Sequence, residues 1–195
     1  MKFKAVVFDM DGVMFDTESV CMKSWDTVGE EMGIGKAGYM VYKTLGMTAQ
    51  AAIKILQNEF GKDFDAKLFK QKGRECSYKY FNDFGVPEKP FLHEALEYLK
   101  EKGYKLAVAS STSSDSVFHH LEEKNITHYF DKACKELGEV PENCIAVEDS
   151  KNGILSAHNA NMSVIMIPDL WQGETEIDKL LFAKLKSLGE IKSVL

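Results

Sequence analysis

The chain has 195 residues, a net charge of −6 and four cysteines, Cys21, Cys76, Cys134 and Cys144. The acidic balance argues against a nucleic acid or an anionic membrane surface as the main partner. No apolar stretch approaches the roughly 18 residues needed to cross a bilayer, and the N-terminus does not resemble a signal peptide. The cysteines show no CxxC spacing, so we expect reduced thiols in a cytoplasmic protein, which we also expect to be a monomer.

The first predicted element is a buried strand from Phe3 to Phe8, broken only by Lys4 and followed by Asp9-Met10-Asp11-Gly12-Val13. Two carboxylates two positions apart at a strand end leave the pleat on the same side. Each raises the pKa of the other unless a cation lies between them, so they indicate a divalent metal, an acid/base pair, or both. An Asp-Gly surface turn is the simpler alternative. We disfavour it because a turn requires neither a second Asp nor an apolar strand before it.

The next segment, from Thr17 to about Phe84, shows helical periodicity and no convincing strand. The pattern predicts three helices: Thr17–Met32, Ala49–Phe60 capped by Thr48, and Asp65–Phe84. This insert of roughly 70 residues is long enough for a small helical bundle.

From Pro87 onward, strands alternate with helices. The predicted strands are Lys105–Ala109, Cys144–Val147 and Ser163–Ile167, and the predicted helices are Leu92–Glu101, Ser114–Lys124, Gly153–Asn161 and Ile177–Leu188. Such alternation is typical of an α/β fold with a doubly wound, parallel, Rossmann-like sheet. We therefore expect a core formed by residues 1–15 and 87–195, with residues 16–86 inserted as a small α-helical domain.

Polar residues follow each of two further predicted strands, as Ser110-Ser111-Thr112 and Glu148-Asp149-Ser150. In open parallel sheets, ligands bind beyond the carboxyl ends of the strands. Carboxylates that converge there without histidine favour a hard cation, and oxygen-only ligation favours Mg²⁺. Hydroxyl and N–H groups around Ser110, at a helix N-terminus, suit a phosphate, so the set as a whole indicates phosphoryl transfer.

These motifs resemble those of the haloacid dehalogenase superfamily. The first motif, the strand ending in Ser110, and Val147-Glu148-Asp149-Ser150 with Gly153 are similar to its β-phosphoglucomutase-like and sugar-phosphate phosphatase branch. That branch carries a helical cap after the first strand, and the resemblance covers nearly the whole chain.

The resemblance implies a role for each motif residue. Asp9 would attack phosphorus to form an aspartyl-phosphate, and Asp11 would protonate the leaving alcohol and then activate water. Ser110 and a backbone N–H at Ser111 would hold the transferring phosphoryl group. Mg²⁺ would be held by the Asp9 side chain, the Asp11 backbone carbonyl and Asp149, with Glu148 in or near that set.

One expected residue, a lysine in a Gly-Lys-Pro segment, has no counterpart here. By comparison with the family, roughly 20 residues containing a strand and this lysine have no counterpart after Asp131. Either the deletion is real or the segment is missing from the sequence as read. We favour the second, because losing an edge strand and the lysine would damage both fold and chemistry. If the deletion is real, Lys151 or Lys135 would be the substitutes to consider.

Substrate choice is expected to come from the helical insert, with Glu18, Lys43 and Thr48 as candidate contacts. Mutase members of the family carry a histidine where this chain has Cys21. A thiol cannot relay protons at neutral pH as histidine does, which favours a phosphatase over a mutase. The predicted function is therefore a Mg²⁺-dependent phosphatase of a small phosphorylated metabolite, with a sugar phosphate as first choice. The alternatives are a phosphosugar mutase and, if the deletion is real, a non-catalytic phospho-ligand-binding domain.

Overall fold

The computed structural model describes residues 3–130 and 138–195 and divides the chain into two compact units. One unit contains the N-terminal segment up to Asp16 together with Pro87–Leu195, and the other is Thr17–Val86. The boundary differs by one residue from the prediction, which assigned Asp16 to the insert. Asp16 belongs to the first unit because its N–H donates to the carbonyl of Pro87 at 2.8 Å and its carboxylate pairs with Lys89.

The first unit is built on a five-stranded sheet in which every adjacent pair is parallel. Its strands are β1 (Ala5–Phe8), β2 (Lys105–Val108), β3 (Cys144–Glu148), β4 (Ser163–Met166) and β5 (Ala183–Lys184). The spatial order β2-β1-β3-β4-β5 places β1 between the two strands that carry the other polar motifs. The prediction of a doubly wound, parallel α/β sheet is confirmed.

The strands are buried because both sheet faces are apolar and covered. Ala5, Val7, Ala107 and Cys144 form one cluster of buried side chains. A second cluster joins the sheet to the helices that follow β3 and β4, through Ala146, Ile154, Val164, Met166 and Ile177. Buried apolar area of this kind is the main source of stability for the sheet.

The α-helices of the described chain are α1 (Thr17–Glu31), α2 (Met40–Thr44), α3 (Ala49–Phe60), α4 (Ala66–Phe84), α5 (Leu92–Glu101), α6 (Ser114–Glu123), α7 (Lys151–Asn159) and α8 (Thr175–Asp178). Short 3-10 helices lie at Thr127–Tyr129, Pro141–Asn143 and Leu188–Ser193. Thr48 caps α3 as predicted, accepting a hydrogen bond from the N–H of Ala51 at 3.3 Å. Helix α2 was not predicted, because five residues are too few to show a helical period.

The unit Thr17–Val86 has an aromatic core of its own. Trp25 of α1 meets Phe69 of α4 with ring centroids 5.0 Å apart, and Phe64 lies 5.6 Å from Phe69. Trp25 and Phe69 are buried. These side chains therefore serve packing, as amphipathic helices of a small bundle require.

The predicted C-terminal helix Ile177–Leu188 is wrong. Helix α8 ends at Asp178, and the chain then extends along β4 as the short strand β5. The N–H of Phe182 donates to the carbonyl of Val164 at 2.8 Å, and the N–H of Leu185 donates to the carbonyl of Met166 at 2.8 Å. The free edge of β4 thus offers backbone partners that a continued helix would leave unused.

Two further sequence expectations concern other parts of the chain. Lys135 and the place of the absent segment after Asp131 lie outside the described residues. Within the described ranges, no helix combines the length and apolar character that a bilayer span requires.

Candidate active site

The register of the sheet brings the three polar motifs to one edge. Phe8 at the end of β1 pairs with Val108 of β2 on one side and with Val147 of β3 on the other. Beyond these pairs, the N–H of Asp9 donates to the carbonyl of Val147 at 2.9 Å, and the N–H of Ala109 donates to the carbonyl of Phe8 at 2.8 Å. The residues that follow each strand therefore start from the same level of the sheet, where ligands bind in such folds.

Three carboxylates converge at this edge. One oxygen from each of Asp9, Glu148 and Asp149 lies within 4.8 Å of the other two. Asp149 is buried, and Glu148 Oε2 is buried with no hydrogen-bond partner in the part of the chain that the structure describes. A buried carboxylate oxygen without a partner is costly, so this arrangement calls for a positive group.

Electrostatics lead to the same conclusion. Burial, together with the charges of Asp149 and Asp11, raises the pKa of Asp9 to about 7, although the Met10 N–H acts in the opposite direction. Burial and the charges of Asp9 and Asp149 raise the pKa of Glu148 to about 8. Burial, with a smaller effect of Asp169, raises the pKa of Asp149 to about 7, against the opposing field of Lys89. A divalent cation among these oxygens would reverse such shifts, and the all-oxygen donor set fits Mg²⁺.

Two glycines leave the space that the carboxylates occupy. Gly12 has a φ of +79°, and a Cβ there would lie 2.3 Å from Asp149 Oδ2. A Cβ on Gly153, in the first turn of α7, would lie 1.9 Å from Glu148 Oε2. Both positions therefore exclude any side chain, and the site depends on them.

Asp11 is held by hydroxyl groups from the end of β2 and takes no part in the three-carboxylate cluster. The Thr112 hydroxyl donates to Asp11 Oδ2 at 2.9 Å, and the Ser110 hydroxyl donates to the same oxygen at 3.4 Å. Ser110 Oγ also accepts the N–H of Thr112 at 3.0 Å, whereas Ser111 is exposed. The two acids of the first motif thus differ in their surroundings.

A cavity of about 360 Å³ opens beside these hydroxyl groups. Its lining residues are Val108, Ser110, Thr112, Ser114, Val117, Phe118, Leu121, Thr127 and Phe130. Four of these nine residues carry a hydroxyl group, and the other five are apolar. It offers room for a small ligand that combines a polar group with an apolar surface.

The three residues that the sequence suggests as substrate contacts all lie in the helical unit. Glu18 lies in the first turn of α1, and Thr48 caps α3. Lys43 pairs with Glu59 at 2.7 Å. Burial and the nearby Glu18 raise the pKa of the Cys21 thiol to about 11, against the opposing charge of Lys70, so it stays protonated at neutral pH. Substrate contact by Glu18, Lys43 and Thr48 stays a prediction.

Three residues that contact acidic side chains of the site were not singled out from the sequence: Thr112, Lys89 and Asp169. The only signal for Thr112 was its place in the polar segment that follows β2. Lys89 Nζ lies 2.7 Å from Asp169 Oδ1 and 3.3 Å from Asp16 Oδ1. Burial lowers the pKa of Lys89, but these carboxylates outweigh burial and leave the pKa raised. Lys151, considered from the sequence as a substitute lysine, forms an ion pair with Glu174 on an exposed side.

A model of the haloacid dehalogenase-like hydrolase family matches residues 3–161 of the chain. The chain belongs to this hydrolase family. The match contains all three polar strand ends, so the haloacid dehalogenase resemblance found in the motifs is confirmed, and the chain is an enzyme.

Relatives within the haloacid dehalogenase family extend over most of the chain. A phosphorylated carbohydrates phosphatase of Thermotoga maritima is 28% identical over 181 residues, which covers 83% of each protein. The Bacillus subtilis protein YhcW, provisionally named a phosphatase, is 26% identical over 212 residues, covering 98% of this chain and 95% of that protein. A Thermotoga maritima structure provisionally named a β-phosphoglucomutase superposes with a TM-score of 0.77 at 26% identity, covering 99% and 100% of the two chains.

The alignment with YhcW is longer than this chain. It extends over 212 positions while the chain has 195 residues, so at least 17 positions (212 minus 195) have no counterpart here. This difference is similar in size to the segment of roughly 20 residues that the motif comparison finds absent.

Proposed function

We propose that this chain is a Mg²⁺-dependent phosphatase of a small phosphorylated metabolite, with a sugar phosphate as the first candidate. The observation that carries the proposal is the cluster of Asp9, Glu148 and Asp149 oxygens within 4.8 Å, next to an Asp11 held by hydroxyl groups. The phosphatase names of the two sequence relatives, one of them for phosphorylated carbohydrates, support the substrate class.

Asp9 is the proposed nucleophile. An oxygen of its carboxylate bonds to phosphorus while the bond from phosphorus to the alcohol oxygen breaks, which leaves an aspartyl-phosphate. Asp11 donates a proton to the departing alkoxide. It then takes a proton from the water that attacks phosphorus in the second step, which releases inorganic phosphate and restores Asp9.

The Thr112 and Ser110 hydroxyl groups orient the Asp11 carboxyl for this proton transfer, since both contact Oδ2. Ser110 and the N–H of Ser111, next to the N-terminus of α6, are the proposed seat of the transferring phosphoryl group. Asp9, Glu148 and Asp149 would hold Mg²⁺, with the Asp11 carbonyl as a further ligand. Bound there, the cation offsets the repulsion between an anionic nucleophile and an anionic ester.

Hydrolysis of p-nitrophenyl phosphate with and without MgCl₂ tests the proposal. We expect turnover that EDTA removes and that Asp9→Asn removes, because an amide is not an effective nucleophile. Asp178→Asn, an exposed carboxyl of the same unit, serves as the control and retains turnover. A folded wild-type chain that shows no Mg²⁺-dependent hydrolysis of this ester, or of a panel of sugar phosphates, would leave a phospho-ligand-binding role instead.

A phosphosugar mutase is the second candidate, and the structural similarity to the provisionally named β-phosphoglucomutase favours it. The protonated thiol of Cys21 argues against it, because no proton relay is available from a group with a pKa of about 11. Incubation with a sugar monophosphate distinguishes the two: free sugar and phosphate support the phosphatase, and a sugar bisphosphate intermediate supports the mutase.

A further inference from the structure

Asp169 lies just beyond β4, on the side of β3 away from β1. Its Oδ1 lies 2.7 Å from Lys89 Nζ, and the side chains of Asp169 and Lys89 are only 16% and 18% exposed. An ion pair this enclosed is far less screened than a surface pair. It therefore fixes one oxygen of Asp169.

The other oxygen lies close to Gly12, in the loop that follows β1. Asp169 Oδ2 is buried and has no hydrogen-bond partner within the described segments. It would lie 3.4 Å from a Cβ built on Gly12, the same point that is 2.3 Å from Asp149 Oδ2. A carboxylate oxygen of Asp169 and one of Asp149 lie within 4.8 Å of each other. A buried acceptor at this distance from a metal ligand needs a donor.

Lys89 is itself held in place by several contacts. Its N–H donates to the Met14 carbonyl at 2.9 Å, and Nζ also reaches Asp16 Oδ1 at 3.3 Å. Both partners lie in the segment that begins with Asp9 and Asp11. Lys89 therefore links the first catalytic motif to the loop after β4.

We propose that Asp169 is a positioning residue of the Mg²⁺ site. Lys89 holds its Oδ1, and its free Oδ2 accepts a hydrogen bond from a water molecule that accompanies the cation between Asp9, Glu148 and Asp149. The inference rests on the proposed function. Partners that contact metal ligands or their waters commonly change metal affinity by about 10-fold to 100-fold when mutated.

Asp169→Asn is the informative substitution. The amide carbonyl can still accept from Lys89, but the NH₂ group that replaces Oδ2 cannot accept a hydrogen bond. The ion-pair geometry is thereby preserved while the proposed contact is lost. Asp178→Asn is the matched control, since Asp178 pairs with Lys184 at 2.9 Å on an exposed surface of the same unit.

Lys89→Met distinguishes a positioning effect on Mg²⁺ binding from an effect of net charge alone. Removing a cation near an acidic site should tighten Mg²⁺ binding if charge alone matters. If Lys89 positions Asp169, Mg²⁺ binding should weaken despite the more negative site. This variant also carries the test should Asp169→Asn fail to fold.

The experiment is calorimetric titration of the full chain with MgCl₂, with thermal melting in EDTA as a check on folding. We expect the Kd for Mg²⁺ to rise about 10-fold or more in Asp169→Asn, to rise in Lys89→Met, and to change less than about twofold in Asp178→Asn. An unchanged isotherm for Asp169→Asn, or tighter binding by Lys89→Met, overturns the positioning role alone. Absence of Mg²⁺ binding by the wild-type chain overturns the proposed metal requirement as well.

Discussion

At the scale of single residues, the proposed chemistry depends on three carboxyl groups that the fold brings together, Asp149 buried and the other two partly buried. Asp9, Glu148 and Asp149 each have a raised pKa, and burial is the largest cause for each. The folded protein without metal therefore holds protons that the unfolded chain would release. These groups oppose folding at neutral pH until a cation joins them.

This leads to a prediction about pH. A carboxyl whose folded pKa lies above its unfolded value contributes stability at low pH that is lost as pH rises through the folded pKa. In EDTA, the free energy of unfolding should therefore fall between about pH 4 and pH 8, the interval between the ordinary pKa values of these carboxyl groups and their raised values in the folded protein. MgCl₂ should raise the melting temperature more at pH 8 than at pH 5.5, because protons compete with the cation.

Thermal melts of the wild-type chain and of Asp9→Asn, with and without MgCl₂, check this pH prediction. The variant lacks one of the three titrating carboxyl groups and should show a shallower decline with pH in EDTA. A Mg²⁺-induced shift that is equal at pH 5.5 and pH 8 would contradict it.

A second prediction concerns the hydroxyl that orients Asp11. Thr112→Val keeps the shape of the side chain but removes the donor that lies 2.9 Å from Asp11 Oδ2. Hydrogen bonds to charged groups contribute about 1.5–3 kcal/mol, so we expect kcat to fall roughly 10-fold or more. Steady-state kinetics on p-nitrophenyl phosphate measure the effect.

The control for that change is Thr27→Val. The Thr27 hydroxyl donates to the carbonyl of Lys23 within α1, on an exposed face. Its kcat should stay within about twofold of the wild type, as for most surface substitutions. Equal losses in both variants would show that the effect at Thr112 is not specific to Asp11.

At the scale of elements, the first turn of helix α7 leaves space for a carboxylate of the candidate site. Ser150 caps it by accepting the Gly153 N–H at 3.1 Å, and the absent side chain of Gly153 leaves room for Glu148. Glycine is a poor helix former, costing about 1 kcal/mol relative to alanine. Glycine is therefore required at position 153 because the Glu148 carboxylate fills the space that a side chain there would take.

A third prediction follows for Gly153→Ala. The new methyl group would lie 1.9 Å from Glu148 Oε2 and must displace that carboxylate. We expect weaker Mg²⁺ binding by calorimetry, while the melting temperature in EDTA stays the same or rises because alanine favours the helix. Ser156→Ala, an exposed site in the same helix, should leave Mg²⁺ affinity unchanged. Unaltered affinity in Gly153→Ala would contradict the proposed place of Glu148.

The elements also show where sequence periodicity succeeds and where it fails. The bounds of α3 and α5 agree with the prediction, because each has an apolar face and a clear start or end. The C-terminal helix failed since Phe182 and Leu185 donate to β4 instead. Their apolar spacing is compatible with a helix, and only the presence of an open strand edge decides between the two.

At the scale of the whole molecule, the chain passes between the two compact units at two adjacent places. The Asp16 N–H donates to Pro87 at 2.8 Å, and Phe15 forms an antiparallel bridge with Glu88. Each unit has its own buried apolar core. Both ends of the insert are therefore close enough for a short connection to replace it.

A fourth prediction concerns such a replacement. We expect a chain in which Gly-Ser-Gly replaces residues 17–86 to fold cooperatively and to bind Mg²⁺ within about threefold of the full chain, since separate units contribute nearly independently. Turnover of sugar phosphates should fall, because the helical unit carries the predicted substrate contacts Glu18, Lys43 and Thr48. Circular dichroism, calorimetry and a phosphate-release assay measure the three quantities.

The control is the same tripeptide inserted after Gly61, at an exposed turn between α3 and α4. That variant should keep both Mg²⁺ affinity and turnover. An excised core that fails to fold would show that the first unit depends on the helical one, against the prediction.

The sequence by itself determined the parallel α/β class, the family and the acidic pair of the first motif. These depend on short-range patterns: a buried strand that runs directly into Asp9 and Asp11, and a second one that runs into Glu148 and Asp149. Only the tertiary structure decided that Thr112 holds Asp11 and that Lys89 links Asp16 to Asp169. Such contacts join residues some 70 to 100 positions apart, and no local pattern records which polar side chains will be buried opposite one another.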